Sequence, residues 1–154
     1  MAAEFELLNA TDKPALLAIT NPDLLAACRQ ALEELGYKVH SVASHADFLT
    51  RFSQISYQIV ILDELFDAGS PGDNRTLATL QSMPMNQRRH AVCMLFGASY
   101  QSLHPMQAFQ QSVHGVINHT DLGKLGQIIQ KVVSENDLFY SGYRDAQLRL
   151  AKSK

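Results

Sequence analysis

The sequence predicts a doubly wound α/β fold, in which five parallel strands form one sheet covered by helices on both faces. Short, wholly apolar runs alternate with longer segments whose apolar residues recur at helical spacing. The 154 residues suffice for one compact domain and are too few for two of average size. A composition of 46% hydrophobic and 18% charged residues is typical of a globular protein. Because each crossover helix buries its apolar stripe on the sheet, the alternation predicts a three-layer sandwich.

The first predicted unit is a strand followed by a helix. Residues 15–19 form a wholly apolar run, which is typical of a buried strand. Asn21 is expected to cap the following helix, and Pro22 suits its first turn. Gly36 is expected to end that helix, and residues 37–42 predict the second strand. The apolar stripe of this helix comprises Leu24, Cys28, Ala31, Leu32 and Leu35.

The second unit ends at an acidic residue. Ser44 and Asp47 resemble a capping box and predict a second helix, with an apolar face that continues along the following residues. Residues 59–62 are the most strand-like run in the chain, and Asp63 follows them directly. The stretch 68–74, rich in Gly, Pro and Asp, predicts a long loop after this third strand.

The second half of the chain continues the alternation. Pro84 limits a third helix, residues 91–96 predict the fourth strand, and residues 115–117 predict the fifth. Arg88 and Arg89 lie in a basic turn before the fourth strand. The predicted apolar stripes are Leu77, Leu80 and Met83 in the third helix, Met106, Phe109 and Val113 in the fourth, and Leu122, Leu125, Ile128, Ile129, Val132 and Val133 in the fifth.

The chain is predicted to comprise an N-terminal arm over 1–12, the α/β domain over 13–133 and an amphipathic helical extension over 134–154. Three alternatives are open for the apolar stripe of the extension. It is expected to dock on the domain, to be buried against a second copy or another partner, or to belong to a frayed tail. Because the extension is locally basic, an acidic partner is favoured. The stripe comprises Phe139, Tyr143, Ala146 and Leu150.

Composition and charge exclude several classes of function. A formal net charge of −2 gives no overall attraction to nucleic acid or to an anionic membrane. No apolar run approaches the roughly 20 residues that a membrane-spanning helix needs, and the N-terminus lacks a signal-peptide pattern, so a cytoplasmic location is expected. Cys28 and Cys93 lie in apolar surroundings and are interpreted as small buried hydrophobes.

The residues at the ends of the strands indicate a family. In doubly wound sheets the functional crevice lies at the carboxyl ends of the strands. The order of elements over residues 13–134, and above all the run Tyr-Gln-Ile-Val-Ile-Leu-Asp over 57–63, resembles the receiver domain of bacterial response regulators. The resemblance implies a flavodoxin-like receiver fold and aligns Asp63 with the phosphoacceptor aspartate.

The same resemblance implies that the other phosphorylation residues are replaced. Receivers hold a divalent cation with an acidic pair, contact the phosphoryl group with a Thr or Ser hydroxyl and a lysine, and signal through an aromatic side chain. The degenerate positions are Ile19 and Thr20 for the acidic pair, Phe96 and Gly97 for the hydroxyl, His119 for the lysine and Val116 for the aromatic.

This pattern predicts a pseudo-receiver, which is a non-catalytic signalling or scaffolding module without a cofactor. It is expected to act through protein–protein contacts with a partner that the sequence does not identify, and a homodimer through the C-terminal helix is one interpretation. The alternative is a phosphorylatable two-component response regulator that uses Asp63 and Mg²⁺. Candidate contact residues are Arg88 and Arg89 in the basic turn and Phe139, Tyr143 and Leu150 in the extension.

Other chemistries find less support in the sequence. No histidine pair has the spacing of metal ligands, and the residues after the first strand lack a Gly-rich phosphate loop. Neither Cys93 nor Ser99 has a clear general base nearby. A small-molecule pocket at the same edge of the sheet is a third interpretation. The loop acids Asp63, Glu64, Asp67 and Asp73 lack the ligand spacing of an EF-hand.

Overall fold

The structure is a computed structural model that describes Leu8 and residues 11–152. Most of the predicted N-terminal arm over 1–12 lies outside the described residues. The strands are β1 (Pro14–Ala18), β2 (Lys38–Val42), β3 (Ile59–Asp63), β4 (Val92–Gly97) and β5 (Gly115–Asn118). The helices are α1 (Pro22–Glu34), α2 (His45–Gln54), α3 (Arg75–Ser82), α4 (Met85–Arg88), α5 (Pro105–Gln110) and α6 (Leu125–Lys152), with 3₁₀ turns at Pro71–Asp73 and His119–Lys124.

The strands of the described chain form one parallel sheet in the order β2-β1-β3-β4-β5. The register aligns Ala18 with Leu62, Leu62 with Leu95, and Leu95 with Val116. All five carboxyl ends therefore lie along one side of the sheet, which we call the carboxyl edge. The predicted doubly wound parallel sheet is confirmed.

The two faces of the sheet bury different residues because successive strand side chains point in opposite directions. In β1, Leu17 packs in the cluster that includes α1 and α6, whereas Leu16 and Ala18 pack in the cluster that includes α2 and α3. These three side chains are fully buried. Burial on both faces explains why the strands are apolar runs rather than alternating polar and apolar sequences.

Two predicted helix caps are present. The Asn21 Oδ1 atom accepts hydrogen bonds from the N–H groups of Asp23 and Leu24 at 2.9 and 3.1 Å. The Ser44 Oγ atom accepts one from the Asp47 N–H group at 3.1 Å. Each cap satisfies donors that the first turn of a helix leaves without a helical partner. The caps therefore fix where α1 and α2 begin, directly after β1 and β2.

The predicted stripe of the fourth helix needs correction. Helix α5 ends at Gln110, so Val113 lies beyond it. Met106 and Phe109 are 57% and 78% exposed, whereas Ala108 is buried. Because α5 has only six residues, a different face from the predicted one meets the sheet, and it does so through the small Ala108 side chain.

The C-terminal extension is not a separate element, because α6 runs without interruption through the predicted boundary at residues 133 and 134. Val132 is 4% exposed, whereas Phe139 and Leu150 are 70% and 66% exposed. Docking of the extension's stripe on the domain is therefore wrong: α6 continues past the end of the sheet. We call residues 134–152 the projecting segment. None of the described helices combines the length and apolarity needed to cross a membrane.

Candidate functional site

The carboxyl edge contains a cleft of about 550 Å³ between the ends of β1, β3 and the loops after β4 and β5. Asp63 lies at its base and is 4% exposed. The cleft is lined by Thr20, Asn21, Asp23, Leu24, Asp63, Glu64, Leu65, Ala98, His119 and Leu122. Parallel strands bring these residues together from four separate parts of the chain, and the cleft is therefore the place to examine for chemistry.

Asp63 faces a histidine in the cleft. Its Oδ1 atom lies 3.4 Å from the Nε2 atom of His119, and neither buried atom has a hydrogen-bond partner among the described residues. The His119 ring stacks on Phe96, with ring centroids 5.7 Å apart and an angle of 19° between the planes. The pairing of β3 and β4, which aligns Asp63 with Phe96, places the carboxylate next to this stack. Stacking on Phe96 thus places the imidazole of His119 next to the carboxylate of Asp63.

Glu64, the next residue, directs its carboxylate to the end of β4. Its N–H group donates to the Phe96 carbonyl at 2.9 Å, and its Oε1 atom accepts from the Ala98 N–H group at 3.0 Å. A Cβ atom at position 97 would lie 2.7 Å from Glu64 Oε2 and would overlap two ring carbons of Tyr100. Burial, followed by the negative charge of Glu64, raises the pKa of Tyr100. The Glu64 carboxylate and the Tyr100 ring therefore occupy the space that a side chain at position 97 would need.

Asn74 fixes the loop that follows Asp63. Its Nδ2 atom donates to the carbonyl oxygens of Asp63 and Glu64 at 3.1 and 2.9 Å, and its Oδ1 atom accepts from the Leu77 N–H group at 2.9 Å. The Asn74 side chain is buried and is the N-cap of α3. One amide thus joins the end of β3 to the start of α3, and this sets the direction in which the Asp63 and Glu64 side chains leave the strand.

The structure separates the sequence-predicted residues into two groups. Thr20, Asp63 and His119 line the cleft. Ile19, Phe96 and Val116 are buried in the core, at 2%, 0% and 0% exposed, so their side chains do not reach it. Gly97 ends β4 and has no side chain, so only its backbone is present at the carboxyl edge. Among the residues that the structure describes, no three His, Cys, Asp or Glu side chains are grouped as metal ligands.

Sequence reasoning missed Asn74 and Tyr100 and assigned Glu64 only to an acidic loop. A signal existed for Asn74, because it precedes a helical stripe and Asn is a preferred N-cap residue. No comparable local signal existed for the contact between Glu64 and Ala98, which are 34 residues apart in the sequence.

The assignment of Arg88 as a partner-contact residue needs correction. Arg88 ends the short helix α4 and is 4% exposed. Its guanidinium donates to the carbonyl oxygens of Leu80 and Ser112 at 2.7 and 2.8 Å. It thereby satisfies a carbonyl group in the last turn of α3, where helical acceptors have no helical donor, and a second carbonyl group in the turn after α5. Arg89 is exposed, so its predicted role as a contact residue stays a prediction.

The two cysteines are buried and unbridged, and the prediction of buried positions is confirmed. Burial, with a smaller contribution from the negative charge of Asp63, raises the pKa of Cys28 to about 12. Such a thiol stays protonated at neutral pH and is a poor nucleophile. Cys93 lies in β4, and its N–H group donates to His114 Nδ1 at 3.0 Å.

We expect the stability of the protein to decrease on mild acidification because of His114. Burial, and then the positive charge of Arg88, lower its pKa below the ordinary 6.5. Just below pH 6.5 the unfolded chain therefore binds more protons at this site than the folded protein, and acidification favours unfolding. This contribution to stability is complete above pH 6.5 and is lost as the pH falls. Thermal unfolding followed between pH 7.5 and pH 5.5 measures the effect.

The matched variant is His114→Asn, whose Oδ1 atom keeps an acceptor for the Cys93 N–H group but does not titrate. The melting temperature of this variant is expected to depend less on pH than that of the parent. Equal pH dependence of the two proteins would show that the prediction is wrong. His90, whose pKa is also lowered by burial, is unchanged in both proteins and contributes equally to each.

Neither a protein-family model nor a curated protein sequence matches this chain. Several solved structures, in contrast, match this chain. NtrX from Brucella abortus in complex with ADP matches with a TM-score of 0.67 at 13% identity, over 94% of this chain and 30% of that chain. The chemotaxis response regulator CheY4 of Vibrio cholerae matches with a TM-score of 0.63 at 13% identity, over 79% of this chain and 99% of that chain.

A third structure is a CheY-like response regulator receiver domain protein from Methanospirillum hungatei JF-1, with a TM-score of 0.62, 16% identity and coverage of 82% of this chain and 98% of that chain. The chain spans less than a third of NtrX and matches single receiver domains over nearly their whole length. The fold is therefore that of the receiver domains of response regulators. At these identities the similarity shows the fold, and the chemistry of the carboxyl edge has to be argued from this chain's own residues.

Proposed function

We propose that the chain is a non-catalytic signalling module with a receiver fold, which acts through protein–protein contacts and does not use Asp63 as a phosphoacceptor. The observation that supports this most strongly is that the protein's own groups engage the polar side chains at the base of the cleft. Asp63 faces His119 at 3.4 Å, and the Glu64 carboxylate is hydrogen bonded to the Ala98 N–H group.

The donor set supports the proposal because it does not suit Mg²⁺. This ion takes oxygen ligands in nearly octahedral geometry and is commonly bound by carboxylates. The segment after β1 supplies a buried Ile19 and the single hydroxyl of Thr20. Asp23 also lines the cleft, but among the described residues it is not grouped with Asp63 and Glu64 as a set of metal ligands. Asp63 Oδ1 faces an imidazole nitrogen, and imidazole is a ligand for softer metal ions than magnesium. We infer that the edge does not hold the cation that phosphoryl transfer to a carboxylate requires.

Electrostatics at the end of β4 support the same conclusion. An incoming phosphoryl group is anionic and is repelled by nearby carboxylates. Glu64 adds a second carboxylate beside Asp63 and already takes up the Ala98 N–H group, a donor that an oxyanion would use. The Glu64 carboxylate therefore disfavours an exogenous anion through both its charge and its volume.

The position aligned with the signalling aromatic of receivers supports a constant rather than a switched surface. Val116 is fully buried in the cluster between the sheet and α2 and α3. It has no ring that can move between a buried and an exposed position. Contacts with partners are then made by the surface that the folded chain always presents.

The proposal is tested by incubating the full chain with acetyl phosphate and Mg²⁺ and measuring its intact mass. We expect no gain of a phosphoryl group, while a receiver that autophosphorylates from the same donor serves as the positive control. Asp63→Asn is the matched variant. A phosphoryl gain that is present in the parent and absent in this variant would show that the alternative, a phosphorylatable regulator, is correct.

A further inference from the structure

The projecting segment continues the stripe that attaches α6 to the domain. Ile129 and Val132 are buried against the sheet, and the residues that follow them on the same side of the helix lie beyond its end. Phe139 and Tyr143 are 70% and 44% exposed. Apart from the polar Asn136, this face is apolar along the 28-residue helix, and the domain covers only its first part.

The spacing of this face is that of a coiled coil. From Ile129 to Leu150, the residues that lie on this face of the helix are spaced alternately three and four positions apart, which gives a repeat of seven. Such a seam matches a second helix, since two helices that supercoil keep facing each other every 3.5 residues. The seam residues are Ile129, Val132, Asn136, Phe139, Tyr143, Ala146 and Leu150.

We propose that the projecting segment pairs with the same segment of a second copy in antiparallel orientation. This inference deepens the proposed function, on which it rests, by naming the partner. If the pairing is centred between residues 144 and 145, Phe139 of one copy lies opposite Leu150 of the other, and Tyr143 lies opposite Ala146. Each layer then combines a larger with a smaller side chain, as close packing requires. A parallel pair would place Tyr143 on Tyr143 and Ala146 on Ala146, which leaves one layer overfilled and the next underfilled.

The charges of the segment are self-complementary in this orientation. Its inner end carries the exposed acids Glu135 and Asp137, and its outer end carries the exposed bases Arg149 and Lys152. An antiparallel pair brings the acidic end of each copy beside the basic end of the other, with Asp137 level with Lys152. A parallel pair would place like charges together at both ends. The contribution of each exposed ion pair is small, but charge placement sets orientation and partner choice.

The test measures the mass of the full chain in solution over a range of concentrations by sedimentation velocity. We expect a concentration-dependent dimer for the parent and a monomer for the variant Phe139→Ala/Leu150→Ala. The matched control is Leu138→Ala/Leu148→Ala, because both leucines are exposed but lie off the seam. That control is expected to stay dimeric. A monomeric parent, or equal dissociation of both double variants, would overturn the inference.

The orientation is measured with a spin label on Ala151→Cys, because Ala151 is exposed, uncharged and off the seam and the native cysteines are buried. At 1.5 Å rise per residue, antiparallel pairing separates the two labels by about 20 Å along the helix axis. A short distance between labels would identify a parallel dimer and overturn the proposed pairing. These variants leave the carboxyl edge unchanged, so failure of the dimer can be distinguished from failure of the proposed function, which the acetyl phosphate experiment measures on its own.

Discussion

Replacing Asn74 with aspartate is expected to lower the free energy of unfolding by about 3 kcal/mol, although Asn and Asp are equally good N-cap residues. Aspartate keeps an oxygen for the Leu77 N–H group. It loses the Nδ2 donor, however, and turns a carboxylate oxygen towards the carbonyl oxygens of Asp63 and Glu64. The Asp63 carbonyl keeps the Phe66 N–H group as a donor at 2.9 Å, but the Glu64 carbonyl loses its donor and both carbonyl oxygens face a buried negative charge. A buried acceptor without a donor costs roughly 1–3 kcal/mol, and more where a charged group is involved.

The measurement is urea unfolding of parent and variant in buffer without divalent cations. Asn21→Asp is the matched control, because Asn21 is also an N-cap but is exposed, and its Oδ1 atom accepts hydrogen bonds from N–H groups. We expect the control to change stability by less than about 0.5 kcal/mol. The loss in Asn74→Asp should shrink towards pH 5, because protonation restores a donor. If Asn74→Asp is as stable as the parent, the hydrogen bonds from the Asn74 amide to the Asp63 and Glu64 carbonyl oxygens do not stabilise the fold as described.

Replacing Gly97 with alanine is expected to destabilise the protein by about 2–3 kcal/mol, in the upper part of the range for overpacking a filled site. The added Cβ atom would overlap ring carbons of Tyr100 and would lie 2.7 Å from Glu64 Oε2. Glu64 cannot retreat without weakening its bond to the Ala98 N–H group, and Tyr100 packs against the buried cluster beside the sheet. For a chain of this size the loss corresponds to a fall of roughly 5–10 °C in melting temperature.

A double-mutant cycle with Tyr100→Ala checks the cause of this loss. Removing the ring opens the space that the new methyl group needs, so Gly97→Ala should cost clearly less in the Tyr100→Ala background. Gly72→Ala is the control substitution, since a Cβ atom there meets nothing within 4 Å. Additive effects of the two substitutions at 97 and 100 would show that the steric account is wrong.

Both predictions concern the same property of the carboxyl edge, which is that the protein's own groups engage the polar atoms around Asp63 and Glu64. In a receiver, the loops around the aspartate accommodate a phosphoryl group and respond to it. Here the Glu64 carboxylate is bonded to backbone at the end of β4, and an amide from the start of α3 holds the strand end. An edge whose backbone is held by these hydrogen bonds favours one conformation and a constant binding surface, as the proposed function requires.

The sequence by itself determined the class of fold and the place of the site. Runs such as 15–19 and 59–62 are apolar because both faces of the sheet are covered, and caps such as Asn21 act on neighbouring residues. These signals are local, so a single sequence reveals them. Asp63 at the end of β3 belongs to the same category, because its place depends only on where the strand stops.

Only the tertiary structure decided which groups the polar side chains of that site contact and which of the predicted contacts exist. The bond from Ala98 to Glu64 depends on the register between β3 and β4, and the burial of Arg88 depends on the last turn of α3 meeting the turn after α5. The stripe of α6 has one spacing throughout, yet Val132 is covered and Phe139 is exposed, because the sheet ends between them. Periodicity reports which side of an element is apolar. Whether a neighbour covers that side depends on the arrangement of elements distant in the chain, which no local pattern encodes.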